Sequence, residues 1–366
     1  MAGFPFFFGT AWHIGGLAMI SARGVALAGV VLLAQSVALA GPQILFDYSN
    51  DTNGFFTPER RVLLEKAASV YTSRIGNTTW ALVDTNLSGG DYELAFFNPT
   101  TLAVSWTPNV VIPLNQITIY VGATDFRASP WTMMQGSVGD GASQLLSIRN
   151  VTEGIRTVLA NQWQFRPINA SITFDLGGVQ GFGSNSGAVT RQWHFDSDGN
   201  LQTDDRNPSD PDYDDYTDFY STAIHEIGHV LGINNPEMMK VVAGIDYDPD
   251  FGLAYMSHVQ PDGSGEYVFT GTNAAEHYFG HIGQNIPLDT DTQCHFADGV
   301  RSDTADGWLS LTYEDNQPFR VGFSELEFGA LKDIGYTVSA VPEPATLSLL
   351  ALGGLGMLAR RRSVRG

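Results

Sequence analysis

The stretch His225-Glu226-Ile227-Gly228-His229 constrains this chain more than any other, because it demands one short helix, buried on one side and carrying chemistry on another. Phe219, Ala223, Ile224, Ile227 and Leu231 recur at three-to-four spacing, the period of a helix that buries one face. Residues four apart lie on the same helical face, so His225 and His229 can both aim a ring nitrogen at one ion. Glu226 is rotated from His225 by about 100°, which sets its carboxylate beside water on that ion rather than on the ion itself. The spacing predicts a start near Thr217 or Asp218 and a stop at Gly232, where glycine suits a left-handed cap and Asn234-Asn235-Pro236 cannot continue the helix. The plain alternative is a surface helix that happens to carry two histidines.

The two ends set the compartment. Arg23, the apolar run from Gly24 to Leu33 and the small-residue pattern Ala38-Leu39-Ala40 read as an export signal over residues 1–40, with Met19 as an alternative start and a mature chain from Gly41. At the other end Val341-Pro342-Glu343-Pro344 precedes an apolar stretch from Ala345 to Ala359 and then Arg360-Arg361-Arg362. Read physically, that is a short transmembrane helix with a basic stop, which keeps the arginines cytoplasmic and the folded domain outside. Cys294 is the single cysteine, so no intramolecular disulfide forms and stability must come from the core; a small buried side chain is its expected role. A formal charge of −20 excludes a phosphate-tracking surface, and no nucleic-acid partner is expected.

The tripartite tail over residues 339–366 resembles the PEP-CTERM sorting signal of bacterial exported proteins. The resemblance implies an exosortase-type processing partner, membrane association through the tail before processing, and a destination in the envelope or extracellular matrix of a Gram-negative cell.

Between Gly41 and Val338 no linker or repeat divides the chain, so residues 41–338 are expected to form one catalytic domain. Thr57 and Pro58 open a first helix with an apolar stripe of Leu64, Ala67, Ala68, Tyr71 and Ile75. Strands are expected around Thr79 to Val83, Tyr92 to Phe97, Ile117 to Val121 and Ser171 to Phe174, and a Gly-rich turn region over Gly177 to Gly187. An Asp-dense loop follows Phe195. Asp196-Ser197-Asp198-Gly199-Asn200 and Asp246, Asp248, Asp250 have the alternating oxygens that calcium loops use, without the distal Glu of a complete loop, so Ca2+ stays open beside a merely solvated acidic surface.

Two ligands hold zinc poorly, and hydrolytic zinc centres add a third while leaving one position for water. Metzincin peptidases extend the motif as HExxHxxGxxH; this chain resembles them through Gly232 and then presents Asn235 where the third His belongs. A neutral amide is a weak zinc ligand. Further on, Phe269-Thr270-Gly271-Thr272-Asn273-Ala274, Tyr278, Gly280, Pro287-Leu288 and Cys294-His295-Phe296 resemble leishmanolysin-like metallopeptidases, in which a long insertion precedes the third His. Ser324-Glu325-Leu326-Glu327 leading to Leu331-Lys332-Asp333-Ile334-Gly335-Tyr336 resembles that family's closing helix, and locally it is a capping box followed by a Gly stop. The resemblance covers roughly Asp218 to Tyr336 and implies His295 as the third ligand, with Asn235, His258, His277 and His281 as alternatives. That family's Met-turn has no counterpart at Trp308-Leu309-Ser310; Met256 is an alternative Met-turn residue that suits the short-spacer geometry with Asn235 instead.

The expectation is therefore an α+β, zincin-like metallopeptidase domain with a mixed twisted sheet packed on an N-terminal helix and the HExxH helix. His225, His229 and His295 would hold Zn2+, Glu226 would be the catalytic base, and a protein or peptide would be the substrate. The rival reading is a non-catalytic extracellular matrix or adhesion protein that retains a metallopeptidase scaffold.

Overall fold

In a computed structural model, residues 42–76, 83–84, 93–108, 111–113, 115–124, 141–145, 148–149, 169–176, 192–195, 216–233, 253–289, 293–302 and 322–339 are described. The elements in chain order are β1 (Gln43–Asp47), α1 (Pro58–Thr72), β2 (Val83–Asp84), β3 (Glu93–Phe97), β4 (Val104–Pro108), β5 (Val111–Ile112), β6 (Gln116–Thr124), β7 (Gly141–Leu145), β8 (Ile148–Arg149), β9 (Asn169–Asp175), β10 (Gln192–His194), β11 (Tyr216–Asp218), α2 (Phe219–Val230), α3 (Leu253–Met256), β12 (Val259–Pro261), β13 (Tyr267–Phe269), α4 (Thr272–Ala275), β14 (Ile286–Pro287) and α5 (Glu325–Asp333). Residues 1–41 lie outside the described residues, and everything below concerns the unit from Gly41.

The result is a mixed α+β fold. Its four-stranded sheet runs β1-β6-β9-β7. β1 and β9 lie parallel to β6, in registers from Gln43↔Gln116 and Thr118↔Asn169, while β7 runs antiparallel to β9 from Gly141↔Phe174. Parallel strands covered on both faces read as near-continuous apolar runs, and Ile117, Ile119, Tyr120, Val121 and Ala123 of β6 are all buried, as are Ala170, Ile172 and Phe174 of β9. The strand expected over 79–83 is described only at its end, as β2, which pairs with β5.

α1 starts where the local chemistry places it. Thr57 accepts the Arg60 N–H at 3.4 Å, Pro58 occupies the first turn, and the stripe from Leu63 to Tyr71 is buried. That stripe lies against α2, and α2 in turn lies against β7 and β9. An aromatic cluster joins these layers: Phe219 of α2 stands 4.9 Å from Phe174 of β9, and Phe55, next to the α1 cap, stacks on Phe174 at 6.0 Å. Such pairs add to the burial energy and fix orientation.

The second half of the unit is organised around α4 and α5. Asp333 at the end of α5 caps α4: one carboxylate oxygen accepts from the Asn273 N–H at 3.0 Å and Nδ2 at 2.7 Å, the other from the Ala274 N–H at 3.0 Å. A Cβ on Gly329 would lie 2.6 Å from the Ala274 Cα, so only glycine lets the helices approach this closely. Ser324 donates its N–H to Glu327 at 2.6 Å, the side-chain return of a capping box at the α5 start. Arg74 after α1 forms a bidentate pair with Glu325 at 2.5 and 2.9 Å, and it also donates to the Ser339 carbonyl. Ser339 returns the contact with its N–H on the Arg74 carbonyl at 2.8 Å.

One expectation is corrected. No helix among the described residues is long and apolar enough to cross a membrane, and the 15 residues from Ala345 to Ala359 fall short of the roughly 20 that a span requires. That stretch, the Asp-rich segments at 196–215 and 246–250, the turn region at 177–187, Asn235 and Trp308 all lie outside the described residues.

Candidate metal centre

The chain enters α2 directly from β11, which pairs in parallel with β10. Asp218 is the N-cap, and its Oδ2 accepts from the Ser221 N–H at 2.8 Å and the Ser221 hydroxyl at 2.6 Å. Phe219, Ala223, Ile224, Ile227, Val230 and Leu231 are buried, as the apolar period requires. The helix ends in a Schellman turn: the Gly232 N–H reaches the His229 carbonyl at 3.0 Å, the Ile233 N–H reaches the Gly228 carbonyl at 3.4 Å, and Gly232 sits at φ +109°. The turn folds the Ile233 carbonyl back over the helix, where it accepts from Nδ1 of His229 at 2.7 Å. That bond fixes the tautomer and leaves the Nε2 lone pair free for an ion.

His295 arrives from a different element. Leu288 and Phe296 form an antiparallel bridge that prolongs β14, the Asp289 N–H donates to the His295 carbonyl at 2.9 Å, and the Ala297 N–H donates to the Pro287 carbonyl at 3.0 Å. Cys294 and Phe296 on either side are buried and anchor this segment, so the burial expected of Cys294 is observed. Gln293, at φ +57°, makes the turn that aims His295 at α2.

The three imidazoles meet at their Nε2 atoms. His229 Nε2 lies 2.9 Å from His225 Nε2 and 3.0 Å from His295 Nε2, and a ligand atom from each lies within 4.8 Å of the other two. Three nitrogens around a tetrahedral zinc at its usual bond length stand roughly 3.3 Å apart, so a small outward movement of the rings admits the ion. Among the described residues this is the group of His, Cys, Asp or Glu side chains placed to hold a metal, and no comparable carboxylate cluster for calcium accompanies it. Burial, and then the neighbouring His225, pushes His229 down to about 3, with the Ile233 carbonyl opposing part of the shift. Burial also lowers His295 well below the ordinary histidine value, with His225 and His229 adding to it. Both are thus neutral, the form that binds a metal.

Glu226 follows His225 on the helix and is buried at 4% exposure. Its carboxylate lies close enough to Tyr71 to raise that phenol, after burial itself, Glu327 and Tyr220. The other histidines are used elsewhere. His258 bonds the Asp333 carbonyl through Nε2 at 3.1 Å, and His281 lies against Tyr278 at 4.9 Å; neither of these nor His277 joins the cluster. Met256 ends α3 and packs against the core. The sequence reading did not identify the Ile233 carbonyl as a partner of His229; a glycine three residues past the motif histidine, immediately before the residue whose carbonyl is used, is the signal that finds it.

A family model for the PEP-CTERM protein-sorting motif matches residues 340–363. No curated protein and no solved structure matches the chain. The motif is the mark of extracytoplasmic proteins processed by an exosortase-type enzyme in Gram-negative envelopes, with transient membrane association before cleavage.

Proposed function

We propose that the chain is an exported zinc metalloendopeptidase whose domain spans residues 41–338, with His225, His229 and His295 as the metal ligands and Glu226 as the general base. One observation carries this reading: ring nitrogens of two helical histidines and of His295, from the bend beside the Leu288–Phe296 bridge, converge within 4.8 Å, with a buried carboxylate adjoining in the sequence of the same helix. The resemblance to leishmanolysin-like metallopeptidases between Asp218 and Tyr336 supports the long-spacer assignment of His295. An imidazole is also the better zinc ligand than the amide of Asn235.

When bound, zinc supplies Lewis acidity, which makes water acidic near neutral pH and polarises a carbonyl. The chain supplies the rest. His229 holds its lone pair toward the ion because Nδ1 is committed to the Ile233 carbonyl. The Glu226 carboxylate takes the proton of the attacking water and returns it to the departing amine, and burial keeps it poorly screened. Among the described residues β7 ends the sheet order beside α2, and a sheet edge is where an extended peptide adds main-chain hydrogen bonds. This supports a peptide as the substrate.

The test pairs zinc content with cleavage of a generic unfolded protein for the wild type and Glu226→Gln. Both proteins retain zinc, and the variant loses about 100-fold or more of the activity. Zinc in both with cleavage by neither overturns the peptidase reading and favours a metal-bearing matrix protein of the envelope.

A further inference from the structure

Two buried tyrosines from distant parts of the chain grip the backbone of the histidine helix at either end of the ligand pair. Tyr71, near the C-terminal end of α1, donates its hydroxyl to the Ile224 carbonyl at 2.5 Å. Ile224 immediately precedes His225, and its carbonyl is inside the helix, where the main chain alone would satisfy it. Tyr336, after α5, donates its hydroxyl to the Leu231 carbonyl at 2.8 Å. Leu231 is the C-cap of α2, two residues past His229 and just before the Gly232 turn. Both tyrosines are buried, Tyr71 completely and Tyr336 at 4% exposure.

We propose that Tyr71 and Tyr336 are positioning residues of the metal centre, holding α2 in the rotation and axial setting at which His225 and His229 face His295. The inference rests on the zinc reading above.

The geometry explains why this site needs such holds. Two of the three ligands ride on one helix and the third on the bend before the Leu288–Phe296 bridge, so a slide or rotation of α2 displaces a pair of nitrogens together relative to His295. A tyrosine hydroxyl is a fixed-length strut: it bonds a carbonyl only where its own ring is packed. Tyr71 is packed by Phe323, at 4.6 Å between centroids, and by Phe328 of α5 at 6.2 Å. Tyr336 is set by a second Schellman turn, with Gly335 at φ +109° and its own N–H on the Leu331 carbonyl at 2.9 Å. Both struts therefore lead back to α5. Beyond Tyr336 the chain pairs with the end of α1, through the Gly76 N–H on the Thr337 carbonyl at 2.6 Å and the bridge of Ile75 to Val338. The sorting motif begins at residue 340, so the residues immediately before it belong to the support of the metal centre.

The test uses the full chain with zinc alone and cobalt(II) alone as probes. Tyr71→Phe and Tyr336→Phe remove one hydroxyl each and keep the ring. Ile117→Val, a trimming of the buried strand β6 that leaves both tyrosine hydroxyl bonds in place, serves as a control for general loss of stability. Zinc affinity and the visible spectrum of the cobalt-loaded protein are read well below the melting temperature of every variant. Each tyrosine variant is expected to bind zinc about tenfold more weakly and to shift the cobalt bands, while the control keeps wild-type affinity and spectrum at a comparable melting temperature. Wild-type affinity and spectrum in both tyrosine variants, or losses that merely follow melting temperature in all three, overturn the positioning role while leaving the zinc reading intact. A wild-type protein that binds no zinc overturns both. If a tyrosine variant fails to fold, the other decides.

Discussion

Replacing Gly232 by alanine separates the two consequences of one turn. Gly232 sits at φ +109°, about 50° beyond the left-handed helical well near +57°. Occupying that well alone costs an L-residue 1–2 kcal/mol, so alanine at the observed angle costs about 2 kcal/mol, and the chain can relax only by opening the turn. For a domain spanning residues 41–338 that corresponds to a fall of roughly 3 °C in melting temperature. Opening the turn also moves the Ile233 carbonyl, which receives Nδ1 of His229 at 2.7 Å. Loss of such a partner lowers metal affinity by about 10- to 100-fold. Thermal unfolding of the metal-free protein reads the first effect and competition with a zinc chelator reads the second. An unchanged melting temperature refutes the strain argument. A lower melting temperature with undiminished zinc affinity refutes the idea that the turn orients the ligand.

Further outcomes follow from the same contacts. Asp333→Ala leaves the Asn273 and Ala274 N–H groups uncapped and should lower stability by about 1–2 kcal/mol in chemical denaturation. Arg74→Ala breaks the bidentate pair with Glu325, the bonds to Ser339 and the contact with Phe328 at 3.9 Å; about 2 kcal/mol is expected, visible as a shifted denaturation midpoint. The metal-free protein should lose stability on acidification. His229, at about 3, and His295, also lowered, stay neutral in the fold while the unfolded chain takes up protons below about pH 6.5. Stability is then full above that pH and falls as pH drops, by up to about 1.4 kcal/mol per pH unit for His229 down to about 3, with His295 adding in the same direction; a flat profile between pH 6.5 and 4 contradicts it.

Legibility in the sequence followed the range of the interactions. α1, α2 and α5 could be placed because Thr57, Asp218, Ser324, Gly232 and Gly335 act within a few residues of themselves, and caps are local chemistry. The cores of β6 and β9 were visible as apolar runs, and α2's buried face as a period. What the sequence hid was long-range pairing. The parallel registers of β1, β6 and β9 join residues far apart in the chain, and nothing in Tyr71 beyond its place in an apolar stripe shows that its hydroxyl ends on Ile224. Phe269 to Ala274 and Leu331 to Tyr336 stood out separately; Gly329 and Asp333 give the physical reason, since they lock α4 and α5 together. His295 was reached through resemblance, because its 66-residue separation from His229 leaves no periodic signal. The apolar tail was read as a short membrane helix from its hydropathy and basic flank, although its 15 residues fall below the roughly 20 of an ordinary span.

The central claim is that His225, His229 and His295 hold one metal ion, and zinc content of the purified protein tests it most directly. Wild type should carry one zinc per chain, His295→Ala should lose it, and Asn235→Ala should keep it. Full zinc in His295→Ala, or none in the wild type after zinc exposure, contradicts the account.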